Sequence, residues 1–342
     1  MRNTVKNFPL FFLVSLSLFC NVFALKIDKT PPGYNLPKTF NLKEKADFSL
    51  GASLIYYDTN QDGMDIVYRN STNPQTLYGN PIPITLKYKL GFKANLGIDW
   101  DRDNWQCNLD YTHFHPKRSI ATNAHSTAAP LIQSWSAESL GTIIFAKGYW
   151  KVEYDVVDLV LSRKYFFGKH YILQPGGGFH FGWFNQNYDV YYTNSFNYKT
   201  LSYNHSRSYL FGFRANLNSF CEITKGLSFI SKTGCNIFFQ KFLITTKQEN
   251  APGNIGLHVK DDQEAIRNST DISLGFHYEK NFYGNKWNFE LIALYDFNFY
   301  FDQNMMKALV DKTKPLPTNR YVNGTNGDFF MHGLNFTAKL NF

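Results

Sequence analysis

From Leu86 to Trp100 the chain alternates strictly between apolar and polar positions. Leu86, Tyr88, Leu90, Phe92, Ala94, Leu96, Ile98 and Trp100 take the even places, and Lys87, Lys89, Gly91, Lys93, Asn95, Gly97 and Asp99 the odd ones. Successive side chains of a β-strand point to opposite faces, so one face is apolar and the other polar or glycine; a helix would mix them. After the polar turn Asp101-Arg102-Asp103-Asn104, Trp105, Cys107, Leu109 and Tyr111 alternate with Gln106, Asn108, Asp110 and Thr112. The pattern predicts a hairpin with a tryptophan at the base of each strand.

The same period returns along the chain. Trp150, Val152, Tyr154 and Val156 alternate with Lys151, Glu153 and Asp155, and a change of phase near Val157 predicts a bulge. Tyr209, Phe211, Phe213, Ala215 and Leu217 oppose Gly212, Arg214, Asn216 and Asn218. Leu227, Phe229, Cys235, Ile237 and Phe239 continue the apolar face, and Trp287 to Phe299 repeats it opposite Asn288, Glu290, Asp296 and Asn298. Ten strands are predicted, near 47–57, 85–100, 105–115, 148–163, 170–192, 205–219, 227–245, 269–280, 286–301 and 328–342, within a range of eight to fourteen. Short turns near 101–104, 164–169, 220–226 and 281–286 alternate with long polar connections near 58–84, 116–147, 193–204, 246–268 and 302–327. This is the rhythm of an all-β, transmembrane, antiparallel up-and-down barrel of the bacterial outer membrane, with short periplasmic turns, long external loops and both termini in the periplasm.

Composition agrees with an apolar exterior around a wet interior. Aromatic residues make up 18% of the chain, with 33 Phe and 22 Tyr, against only 18% charged residues. Yet the mean hydropathy is −0.34, and no run of 18 apolar residues follows residue 24, which excludes a bundle of membrane helices. The N-terminus reads as a cleaved secretory signal, residues 1–24. Arg2 and Lys6 form its basic region, Pro9 to Phe19 its apolar core, and Val22 and Ala24 the small residues before the cut. Loss of Arg2 and Lys6 lowers the formal net charge by two, from +8 to +6. Residues 25–46, with Pro and Lys and no alternation, are expected to be a periplasmic lead-in, and 47–342 the barrel. A second expectation is that this lead-in enters the barrel as a plug. The basic residues are scattered and the chain is exported, so nucleic acid is not an expected partner.

The final segment sets Leu334, Phe336, Ala338, Leu340 and Phe342 against Gly333, Asn335, Thr337, Lys339 and Asn341. An apolar alternation ending on a terminal aromatic fits the signal read by the outer-membrane assembly machinery. Two further stretches are informative together. One runs Trp100-Asp-Arg-Asp-Asn-Trp105 through Leu109-Asp-Tyr-Thr-His-Phe114. The other starts at Trp150 and passes through Asp158-Leu-Val-Leu-Ser-Arg163, Leu173-Gln-Pro-Gly176 and Phe184-Asn-Gln186. Over roughly residues 90–240 the chain resembles the major-outer-membrane-protein family of legionellae and chlamydia relatives. That resemblance implies an abundant surface protein that forms diffusion pores and contacts host cells.

Inward on this phase lie Lys87, Lys89, Lys93, Asp99, Asp110, Lys151, Glu153, Asp155, Arg214, Lys232, Glu290, Asp296 and Lys339. Charges on an inner barrel wall set the ion preference of a water-filled path, or pair with one another and fill the barrel. Ten strands leave little room, since about eight enclose only side chains. The leading expectation is a pore for small hydrophilic solutes or ions. The alternatives are a closed barrel whose loops bind lipopolysaccharide or host cells, and an outer-membrane hydrolase. For the last, Asp110, His113 and His115 gather near one strand end, with Asp296 a distant partner, but they match no hydrolase signature. As metal ligands, His113 and His115 share a face without an evident third donor. No cofactor motif is present: Gly176-Gly177-Gly178 lacks the Lys-Ser/Thr of a phosphate loop. Next to Pro175 it predicts a bulge. Cys107, Cys221 and Cys235 have no metal-site spacing.

Overall fold

The computed structural model describes residues 46–70, 79–100, 104–124, 131–136, 142–167, 170–251, 254–282, 287–306 and 327–342. The predicted signal and nearly all of the lead-in fall outside these residues. The first strands are β1 (Ala46–Gln61), β2 (Asp65–Asn70), β3 (Gly79–Pro83), β4 (Leu86–Trp100) and β5 (Trp105–Phe114). Next come β6 (Lys117–Asn123), β7 (Leu131–Gln133), β8 (Ile143–Arg163), β9 (Tyr165–Phe167) and β10 (Tyr171–Asn194). The last are β11 (Lys199–Thr224), β12 (Leu227–Ala251), β13 (Asn254–Phe282), β14 (Trp287–Asn304) and β15 (Gly327–Asn341).

Ten of them close a ring in the order β1-β4-β5-β8-β10-β11-β12-β13-β14-β15 and back to β1, with every pairing antiparallel. Closure leaves no open edge in the membrane, where unpaired backbone groups find no water. The seam is made by the chain end: Phe48 and Phe342 exchange backbone hydrogen bonds of 2.9 Å in both directions. The other strands complete the outer end. β6 extends the β5 wall along β8, while β2 pairs with β3 and β7. Turns at the other end are tight. Gly226 bridges β11 and β12 at φ +82°, and Asn104 precedes β5 at φ +58°, two residue types that tolerate the left-handed region.

The strands are much longer than the roughly 9–11 residues a bilayer needs: β11, β12 and β13 have 26, 25 and 29 residues. The expected loops 193–204 and 246–268 are therefore mostly wall. Outside the bilayer no lipid selects an apolar outer row, so in these segments of β11, β12 and β13 the apolar alternation stops although the hydrogen-bonded ladder continues. Two predicted bulges are absent. β8 pairs with β10 without a register shift from Lys147 to Ser162, through Val157. β10 pairs with β11 straight through Pro175. On its other side, β10 is paired with β9 up to Leu173 and with β8 from Gly176 onward. Pro175, which lacks a donor, falls in that gap. At Gly178 an added Cβ would collide with the Leu159 carbonyl, so glycine there permits the close approach of β8.

Candidate functional site

The barrel interior has two compartments. Towards the tight turns, strands point polar side chains inward and apolar ones outward. Phe48, Leu96, Trp100, Trp105, Phe213, Trp287, Leu334, Phe336 and Phe342 are all exposed on that outer face, with Ala338 and the partly covered Leu340 in the same row. Towards the other end the arrangement inverts on β8 and β10, whereas β11 and β12 keep a polar inward row, with Thr200, Ser202, Asn204, Thr246 and Gln248 buried. Trp150, Val152, Tyr154 and Val156 are buried, and the residues between them face outward. Ring contacts across the barrel fix the direction: Trp150 and Phe329 lie 6.5 Å apart, and the Tyr154 and Tyr300 hydroxyls are 2.6 Å apart.

In the inner compartment a cavity of about 230 Å³ is lined by four cations, Lys93, Arg214, Lys232 and Lys339, and four carboxylates, Asp110, Asp158, Asp271 and Glu290. Arg214 donates to both oxygens of Asp271 at 2.7 and 2.8 Å, and Asp158 lies 4.0 Å away. His180 reaches Asp158 at 2.6 Å. Lys93 donates to Asp296 at 3.0 Å, and the Tyr57 hydroxyl donates to the same carboxylate. Asn95 donates to Asp110 at 2.5 Å. Nearer the turns Glu290 accepts from Asn341 at 2.5 Å and meets His277 at 3.1 Å. There Asp99 lies 3.6 Å from Lys164, beside a second cavity of about 180 Å³.

The outer compartment is packed. Phe184 and Phe329 stack edge to face at 4.7 Å, and Phe114, Phe238 and Tyr188 are fully buried around them. The connection after β1 turns inward and fills the space left. Met64, Ile66 and Val67 are buried to 0–1% exposure. Tyr192 donates to the Ile66 carbonyl at 2.8 Å, Tyr188 to the Met64 carbonyl at 3.3 Å, and Trp135 Nε1 to the Asp65 carbonyl at 2.9 Å. Gly148 leaves room on β8 for the Ile66 side chain. Of the described residues this segment, 62–70, enters the barrel, and Trp135 packs beside it against Tyr188 at 4.9 Å.

Of the residues predicted to line the lumen, Lys93, Asp110, Arg214, Lys232, Glu290 and Lys339 border the larger cavity, Asp99 borders the smaller, and Asp296 is buried against Lys93. Five do not. Lys87 and Lys89 stay exposed at the outer end, beside the register shift between Tyr57 and Thr59. Lys151, Glu153 and Asp155 face outward, because in the outer half the apolar side of β8 turns to a dry interior. Sequence reading missed Asp158, Asp271, His180 and Tyr57. The supposed phase change at Val157 concealed Asp158: the strand keeps its phase, and its surroundings exchange sides. Asp110 faces inward while His113 faces outward, so the two do not form one hydrolytic group. His113 and His115 instead meet Asp155, the third donor that spacing alone did not supply.

Residues 41–342 match the family model described as the Legionella pneumophila major outer membrane protein precursor. No curated protein matches the chain significantly. Among solved structures, a TodX deltaS2S3 mutant monoaromatic hydrocarbon channel is similar, with 10% identity over 91% of both chains and a TM-score of 0.31. A Pseudomonas aeruginosa FadL homologue shows 9% identity over 87% of this chain and 90% of its own, with a TM-score of 0.27. The P. putida toluene transporter TodX shows 10% identity over 87% and 89%, with a TM-score of 0.28. Scores this low carry no argument about substrate.

Proposed function

The chain belongs to the Legionella major outer membrane protein family and is a barrel of the bacterial outer membrane, and from this premise we propose that it is a channel for small hydrophilic solutes or ions, held shut at its outer half. One observation carries this reading. Lys232 borders the inner cavity with no carboxylate oxygen within 4.0 Å among the described residues, and Lys339 beside it has its cross-strand neighbour Glu290 beyond that distance. Charged side chains gathered round an unfilled cavity are stabilised by pairing and by water, which supports a wet inner lumen. The outer half is closed by Met64, Ile66 and the aromatic residues around them. Opening requires segment 62–70 to leave, which removes apolar packing and the β2–β7 pairing but leaves the ten-strand ring closed. The apolar face of Leu334, Phe336, Ala338, Leu340 and Phe342 then serves as the recognition strand for the assembly machinery.

The test is single-channel conductance of the refolded chain from residue 25, beside a variant in which residues 62–85 are replaced by a short Gly/Ser linker. Thr59 lies opposite Leu86, so a short linker spans the ends. Rare openings are expected for the parent and sustained, salt-dependent steps for the variant. Lys232→Gln with Lys339→Gln should shift selectivity towards cations. A silent variant whose heat-modifiable gel migration shows a folded barrel would sink the channel reading.

A specific observation favours a second reading. Trp150, Phe329 and Phe114 are at 0% exposure in the outer lumen, as in a barrel that is filled rather than gated. The extended outer wall would then bind lipopolysaccharide or host cells, and the silent variant supports it.

A further inference from the structure

We propose that His113, His115 and Asp155 form a binding site for a borderline transition-metal cation, Zn²⁺ or Cu²⁺, on the outer face of the barrel among the exposed aromatics Phe92 and Trp183. The backbone brings the three together. His113 is the last outward position but one before Pro116 on the β5 edge, and His115 follows on the same face. Asp155 is the registered partner of His113 on β8, so both point the same way. His113 Nδ1 lies 2.7 Å from Asp155 Oδ1, and His115 Nε2 lies 2.7 Å from Asp155 Oδ2. All three donor atoms fall within 4.8 Å of one another. A cation about 2.0–2.2 Å from each of two imidazole nitrogens and a carboxylate oxygen needs donors about 3–3.6 Å apart, a range that lies between the 2.7 Å of the His–Asp contacts and the 4.8 Å that bounds all three donors.

The surroundings favour this donor set. Tyr111 donates to Asp155 at 2.8 Å and holds the carboxylate towards the histidines. The Phe92 ring lies 4.9 Å from His113, and the two imidazoles are 3.9 Å apart. The nearby Lys151 is engaged by Glu153 at 2.5 Å. The side chains are about one-fifth to one-third exposed, so a fourth position is open to water. Two nitrogens and one carboxylate select zinc or copper. Calcium and magnesium demand more oxygen donors than this site has. The site lies outside the lumen, so it stands whether or not the barrel conducts.

The experiment is a titration of untagged, refolded protein in detergent with ZnCl₂ against a chromophoric chelator. It is repeated with CuCl₂ and with CaCl₂, and for His115→Ala, Asp155→Asn and Tyr111→Phe. Heat-modifiable gel migration checks that each variant is folded. The expected result is one tight zinc ion per chain, tighter copper, no calcium competition, and an affinity at least about tenfold weaker in His115→Ala and Asp155→Asn. Tyr111→Phe, which loses only the orienting hydroxyl, should weaken zinc by about tenfold or less, in the range of an outer-partner loss. Zinc binding by the parent no tighter than by folded His115→Ala would overturn the proposal, as would calcium displacing zinc at equal concentration.

Discussion

The inner and outer halves of this barrel obey different rules, and on the β8 wall the rule of the outer half is the opposite one. In the inner half the outward row reads Phe211, Phe213, Leu217 on β11 while Arg214, Asn216 and Asn218 face the cavity. In the outer half of β8 the inward row reads Trp150, Val152, Tyr154 while Lys151 and Glu153 face water. The strand geometry is identical; what differs is the medium on each side. Lipid selects apolar side chains outside and permits water within, whereas water outside leaves the interior as the only dry place. One strand therefore carries two amphipathic patterns in a single phase.

The largest test of the comparison is Val152→Lys. It buries an unpaired charge in the dry outer interior and should cost about 3–5 kcal/mol, read as loss of the heat-modifiable folded band, while Lys151→Val beside it should be nearly neutral. Next is Phe213→Arg on the lipid face, expected to destabilise by about 2–4 kcal/mol in urea unfolding from bilayers. The matching change Leu243→Arg, outward in the outer half, should stay within about 0.5 kcal/mol. If both arginines cost the same, the boundary drawn between the halves is wrong. Ile66→Ala sharpens the role of the inward segment. A truncated side chain at this packed position weakens docking by about 2–5 kcal/mol and should raise open probability without changing the single-channel step. Tyr154→Phe is smaller, about 0.5–1.5 kcal/mol, since it removes one hydroxyl contact with Tyr300.

The smallest effect concerns pH. Burial pushes the Asp65 carboxyl above its ordinary 3.8, with the Tyr68 hydroxyl opposing. The docked segment therefore holds the Asp65 proton more tightly than the released one. That advantage is fully present below the ordinary value and is lost as pH rises through the raised one, so channel opening should become easier over that interval. Asp65→Asn should remove this pH dependence, and conductance recorded across the range checks it.

The inner half was legible because lipid imposes a one-sided constraint. Leu86 to Trp100 and Leu334 to Phe342 declare their faces, and the tight turns between them set the count of ten. The outer half was not legible by the same rule. With water outside, Lys247 and Asp262 sit on wall strands yet read as loop, and Trp150 to Val156 show an alternation whose direction no local pattern specifies. Asp155 illustrates the loss: its place in an alternating row was evident, but its side of the wall depended on what lay behind it.

The sequence by itself determined a closed antiparallel barrel with an apolar belt, aromatic ends and a charged inner wall, because period-two patterning and turn chemistry are local properties of the chain. Only the tertiary structure decided where the interior changes from charged to apolar, that residues 62–70 fold into it, and that His113, His115 and Asp155 share a face. Those facts depend on contacts between strands far apart in the chain, and on which medium each wall meets once the ring has closed.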